Sequence, residues 1–135
     1  MAEACVVDTD IVSYLFRGDT RARSYRPLLS GAVLLVSFMT VAELERWTLE
    51  RNWGRARREE LYRFLDPLTT VFVNRALCRT WAEVTDQARR RGRPIQTADA
   101  WIAATALSLD EPLVTHNRTD FEMVDGLRFL PEAPP

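Results

Sequence analysis

Cys5-Val6-Val7-Asp8-Thr9-Asp10-Ile11-Val12-Ser13-Tyr14-Leu15-Phe16 opens with a short, β-branched apolar run, stops in two carboxylates and a hydroxyl, then turns to helical spacing. A run of consecutive apolar residues bounded by polar ones reads as a strand buried on both faces. The pattern recurs at Val33 to Phe38 and Leu113 to Thr115, and a fourth strand is expected around Val71 to Val73. Between these lie stretches of helical period: Val41 to Trp53, Arg57 to Leu65, Arg75 to Arg91 and Ala98 to Leu109. Strands alternating with helices imply an α/β domain, a central parallel sheet flanked by helices. In such sheets ligands bind in the crevice beyond the carboxyl ends of the strands, so the polar residues following each strand are where chemistry is expected.

The chain of 135 residues is long enough for one core, assigned to residues 1–130, with residues 131–135 as a tail. It contains no repeat, no low-complexity linker and no run of membrane-spanning length, and Met1 to Val7 lacks signal-peptide features. A soluble, cytoplasmic protein without a membrane partner is expected. Cys5 and Cys78 stand singly, without metal-ligand spacing, and read as small buried hydrophobes. All 18 cationic side chains are arginine and none is lysine. Because arginine presents a planar fork suited to phosphate, local clusters can meet RNA even at a net charge of −1.

Four acids fall on one predicted sheet edge. Asp8 follows the first strand, Glu43 lies one turn into the helix after the second, Asp99 begins the Ala-rich helix, and Asp120 follows the last strand. Convergent carboxylates suit a hard divalent cation such as Mg2+, with Mn2+ as the alternative, and such an ion supports phosphodiester hydrolysis. Each acid also has a structural reading. Thr40-Val41-Ala42-Glu43 fits a capping box, Asp99 suits a helix N-terminus, and Asp120 suits a turn. Asp8, closing a buried strand, has no such propensity-based explanation.

These residues resemble a known family, the PIN-domain nucleases, and within it the VapC-type toxins of toxin–antitoxin pairs. The matching segments are Val6 to Asp10, Ser37 to Leu44, Ile95 to Ala106 and Leu113 to Phe121, which cover nearly the whole chain. The resemblance implies a magnesium- or manganese-dependent endoribonuclease that forms a homodimer and is inhibited by a small antitoxin protein. By position, it makes Asp8 and Asp99 the principal metal ligands, with Glu43 and Asp120 contributing directly or through water. Thr9, Ser37, Thr115 and Asn117 would form a polar shell around them. Asp10 stands where the family often has Asn, and His116 where Arg is common.

Arg46, Arg51, Arg55, Arg57 and Arg58 interleave with Trp47 and Trp53, a pattern that fits either an RNA or antitoxin surface or a solvated helix face. Arg46 and Trp47 are the contacts chosen from it. Arg89, Arg90, Arg91 and Arg93 precede the Asp99 helix and can track an RNA backbone or complement a helix dipole. His116 reads as an exposed hydrogen-bonding residue and a further candidate contact, whereas Trp81 and Trp101 read as packing residues.

Four rivals deserve weight. Asp8-Thr9-Asp10-Ile11-Val12 also resembles the opening motif of haloacid-dehalogenase-type phosphatases, and receiver domains likewise gather acids at strand ends. Both ordinarily use a lysine, which this chain lacks. A PIN-fold binding module without turnover has no reason to keep four acids, and a housekeeping RNA-processing nuclease remains the alternative within the family.

Overall fold

Strand β1 (Ala4–Val7) runs through the middle of a four-stranded sheet of order β3-β2-β1-β4. Its partners are β2 (Val33–Ser37) on one side and β4 (Leu113–Val114) on the other, both parallel to it, while β3 (Thr69–Val71) extends the sheet beyond β2. The computed structural model describes residues 3–133. Cys5, Val6 and Val7 are buried because strands close both edges of β1 and helices cover both faces.

The connecting helices are α1 (Thr9–Arg17), α2 (Arg26–Leu29), α3 (Phe38–Glu50), α4 (Arg55–Leu65), α5 (Arg75–Arg90) and α6 (Thr97–Leu109). Two 3-10 turns, Thr20–Ser24 and Arg118–Phe121, complete the fold. Helix α6 is buried on most sides, and its small side chains Ala100, Ala103, Ala104 and Ala106 allow close approach to the sheet and to α5. Trp81 of α5 stacks on Trp101 of α6 at 5.0 Å, and Phe38 meets Trp101 edge-on, so both tryptophans pack as expected.

The α/β class with a parallel sheet is as the sequence implies, but several boundaries differ. The last strand ends at Val114, one residue before Thr115, and the second ends at Ser37, whose hydroxyl accepts from Met39 N and caps α3. Helix α3 therefore starts before Val41. It stops short of Trp53 because Asn52 takes a left-handed conformation, φ 50°. The fourth strand is Thr69–Val71 and not Val71 to Val73, since the β-branched threonines pair with β2 while Phe72 and Val73 lie beyond the ladder, 73% and 49% exposed. Cys78 is exposed and not buried. It lies beside the α5 stripe of Leu77, Val84 and Ala88 that faces inward.

Among the described residues no helix is long and apolar enough to cross a membrane. Residues 134 and 135 of the expected tail lie outside the described residues. Within its described part, the Pro131 and Glu132 carbonyls accept hydrogen bonds from the Arg118 guanidinium.

Candidate active site

The connections β1 to β2 to β3 run outward in one direction, and β4 returns to the other side of β1. The chain thus reverses between β1 and β4, which makes the crevice beyond their carboxyl ends the natural binding place. Val7 is in register with Val114, so Asp8 and Thr115 emerge side by side.

Asp8 is 6% exposed and uses both carboxylate oxygens. Oδ1 accepts from Thr9 N at 2.7 Å, making Asp8 the N-cap of α1, and Oδ2 accepts from the Thr115 hydroxyl at 2.7 Å. A strand-ending Asp followed at once by a helix does therefore have a capping role, which the strand-end reading overlooked. Capping explains one oxygen; it leaves the burial of the charge unexplained.

Glu43 is half-buried on α3, where its Oε1 accepts from the Thr9 hydroxyl at 2.8 Å. Because that proton is committed to Glu43, the buried Thr40 hydroxyl, 2.9 Å away, donates to Thr9. The capping-box reading of Glu43 fails: Ser37 caps α3, and Thr40 and Glu43 both lie inside the helix. Asp99 lies in the first turn of α6 and is half-buried. Asp120 lies exposed on the turn Arg118–Phe121, which buried Phe121 anchors to the core.

The acids act on one another electrostatically, although among the described residues no three acidic, His or Cys side chains are grouped to hold a metal ion. Burial pushes Asp8 up to about 7, and the charges of Asp10 and Glu43 add to the rise against opposing hydrogen bonds from Thr115 and Thr9. Burial likewise lifts Asp99 to about 7, with the charges of Asp8, Asp120 and Glu43 adding to it. Asp10 rises to about 6, again through burial, although N–H groups of Ile11 and His116 oppose the shift. Among the described residues no ion pair reaches Asp8, Asp10, Glu43, Asp99 or Asp120.

The polar residues around the acids divide the work of holding them. Thr9 holds Glu43, and Thr115 holds Asp8 while accepting from Asn117 N at 3.1 Å. Asn117 Nδ2 donates to Asp10 Oδ2 at 3.0 Å, and His116 N donates to the same oxygen at 3.1 Å. Asp10 thus ties the loop after β4 to the start of α1. Ser37 is bonded to the α3 backbone and orients the helix that carries Glu43. Sequence reasoning missed the Thr40 link and Tyr25, which meets His116 through its hydroxyl. Tyr25 sits between a 3-10 turn and a four-residue helix, where no periodicity marks it.

Residues 5–127 match the pattern of the PIN domain. The chain belongs to the PIN-domain family. Ribonuclease VapC1 of Haemophilus influenzae (strain R2866) is 31% identical to this PIN-domain chain over 130 residues, 92% of this chain and 94% of its own. The solved structure of VapBC-1 from nontypeable Haemophilus influenzae matches the PIN fold seen here with a TM-score of 0.80 at 27% identity, covering 93% of this chain and 96% of that one. VapBC2 from Rickettsia felis, solved bound to a DNA fragment from their promoter, gives 0.80 at 21% identity over 92% of this chain and 95% of that one, a likeness of fold.

Most of the arginines singled out in the sequence have local partners, whereas the buried Nε of Arg58 has no hydrogen-bond partner among the described residues. Arg46 pairs with Glu50, Arg89 and Arg90 share Asp86, Arg91 pairs with Asp125, and Arg93 pairs with Glu122. Trp47 and Trp53 pack against the core, with Arg51 over the Trp47 ring and Arg57 over Trp53.

Proposed function

We propose that this PIN-domain protein is a divalent-metal-dependent endoribonuclease and the toxin half of a toxin–antitoxin pair. The observation that carries the reading is a set of acids at the switch point that, among the described residues, form no ion pair with any cationic side chain. Buried carboxylates that raise one another's pKa are destabilising unless a counter-charge arrives, and an all-oxygen donor set selects a hard ion. Among the described residues no three acidic, His or Cys side chains form a ready-made cage.

Asp8 and Asp99 would hold the ion, with Glu43 and Asp120 acting directly or through water. When bound, such an ion activates water and polarises a phosphoryl oxygen for hydrolysis. The chain's own part is to fix the carboxylates: Thr115 and Thr9 hold Asp8 and Glu43 in one orientation each, so little reorganisation remains when substrate arrives.

The likeness to Ribonuclease VapC1 supports RNA as the substrate, and the likeness to VapBC-1 supports a VapB-type antitoxin partner. A homodimer and a cytoplasmic location go with that reading. Arg46, Trp47, Arg89, Arg90 and Arg91 are the proposed contacts for RNA or antitoxin. Their exposed ion pairs are each worth under about 1 kcal/mol and exchange readily for phosphate. Incubating the purified protein with RNA in magnesium or manganese, with and without EDTA, tests the reading. Cleavage is expected only with metal, and undiminished cleavage in excess EDTA overturns the metal mechanism.

A further inference from the structure

Tyr25 is 2% exposed, and its hydroxyl lies 2.8 Å from Nδ1 of His116, an exposed residue on the loop after β4. That nitrogen is the hydroxyl's one hydrogen-bond partner among the described residues. A buried phenol without an acceptor for its proton is unfavourable, and Nδ1 is the acceptor within reach. A neutral imidazole that accepts at Nδ1 carries its hydrogen on Nε2. The ring is further pinned by two edge contacts, from Tyr14 at 5.5 Å and 83° and from Tyr25 at 5.9 Å and 75°. Tyr14 is itself held by Arg21, which lies 4.0 Å over its ring and donates to its hydroxyl at 3.1 Å. At the backbone, His116 N donates to Asp10 Oδ2, so the residue is anchored to the wall of the acidic site.

We propose that Tyr25 and His116 form a preset hydrogen-bond donor for the RNA backbone, in which Tyr25 fixes the imidazole so that Nε2–H meets a phosphate oxygen beside the acidic centre. The proposal rests on the endoribonuclease reading above. The physical need is specific to this site. A phosphodiester chain beside the acidic centre needs hydrogen-bond donors, and the Thr9, Thr115 and Asn117 side chains already donate to the carboxylates. An imidazole N–H whose ring is held by a buried phenol and pinned between Tyr14 and Tyr25 can donate to phosphate from a fixed position. His116 is a substrate contact in this scheme, and Tyr25 is a positioning residue that acts through it.

His116 is the one histidine in the chain, so its imidazole is read by NMR without interference. Long-range nitrogen–proton spectra of the wild type are expected to show the Nε2–H tautomer, and those of Tyr25→Phe a mixture. With mixed-sequence single-stranded RNA in magnesium, His116→Ala should raise KM by roughly tenfold, as expected for a lost hydrogen bond to a charged group, with a smaller fall in kcat. His116→Gln, which keeps an N–H donor, should recover part of that loss, and Tyr25→Phe should lie between wild type and His116→Ala. A wild type that cleaves no RNA overturns both this inference and the endoribonuclease reading. A wild type that cleaves while His116→Ala keeps its KM, or a Tyr25→Phe variant with unchanged tautomer and KM, overturns this inference alone.

Discussion

Thr115 donates a 2.7 Å hydrogen bond to Asp8 across 107 residues of sequence, joining the ends of β4 and β1 at the point where the sheet reverses direction. The same hydroxyl accepts from Asn117 N, so one side chain both orients the carboxylate and shapes the loop beside it. A partner that orients a metal ligand governs affinity for the ion almost as the ligand does.

Thr115→Val, which keeps the shape and removes the hydroxyl, is therefore expected to raise the magnesium concentration needed for half-maximal RNA cleavage by about 10- to 100-fold. Thr115→Ser should stay near wild type. A magnesium titration of cleavage rate checks this, and a valine variant with the wild-type midpoint removes Thr115 from the site's support.

Glu43 lies inside α3, five residues beyond its first position, and not at a cap, which changes what glutamine there must do. The amide oxygen can still accept from Thr9, so the fold should be preserved, while the charge available to a cation is lost. With the bond from Thr9 kept, Glu43→Gln should melt within about 1 kcal/mol of wild type, any change being a gain from relieved repulsion, and lose cleavage by at least about 10- to 100-fold. Melting curves and initial rates decide it; a fully active variant would leave Glu43 with a packing role only.

The raised carboxyls set the pH dependence of the metal-free protein. Asp8 and Asp99 keep protons in the folded chain up to about 7. The unfolded chain releases them near 3.9. Between those values the folded state binds more protons, so stability falls as pH rises through the window and levels off above it. Asp10, raised to about 6, adds to the effect, and because these acids repel one another their protons leave in successive steps that spread the decline over the window. Denaturant melts in EDTA from about pH 4 to pH 8 should show this decline, and saturating magnesium should oppose it by binding the ionised form. Metal-free stability that climbs across the window would contradict the burial and repulsion assigned to these acids.

The parts of this site legible in the sequence are those with a local signature. A β-branched run ending in Asp8, an Ala-rich helix beginning near Asp99 and a final apolar pair before Thr115 each mark themselves within a few residues. Strand order does not, because which side of β1 receives β4 is fixed by long-range packing, and with it the proximity of Thr115 to Asp8. Phe72 and Val73 misled because hydrophobicity does not reveal where a ladder stops, whereas the threonines of β3 were pairing with β2. The caps misled for a related reason. Thr40 precedes Glu43 at capping-box spacing whereas Ser37 has no acid three residues on, and only the backbone shows that Ser37 starts the helix. Tyr25 left no trace because its partner is 91 residues away.

Asp99 offers the sharpest test, since its two readings predict opposite signs. As a first-turn acid of α6, whose N-cap Gln96 makes no side-chain cap bond, it should favour the helix dipole. Asp99→Asn would then cost about 0.3 to 1 kcal/mol. Against this stand burial and the charges of Asp8, Asp120 and Glu43, which together push its carboxyl up to about 7. The net shift is upward, so repulsion and desolvation outweigh the dipole. Removing the charge should therefore stabilise the metal-free protein at about pH 8 by roughly 1 to 3 kcal/mol, the lower end reflecting solvent screening at a half-buried site. The gain should shrink toward about pH 5, where the folded wild type already carries a proton there, and should shrink or reverse in saturating magnesium because the variant has lost binding free energy. Paired denaturant melts at both pH values, in EDTA and in magnesium, measure all four quantities. A variant less stable than wild type in EDTA at about pH 8, with an undiminished response to magnesium, would make Asp99 a helix-dipole residue and take it out of the metal centre.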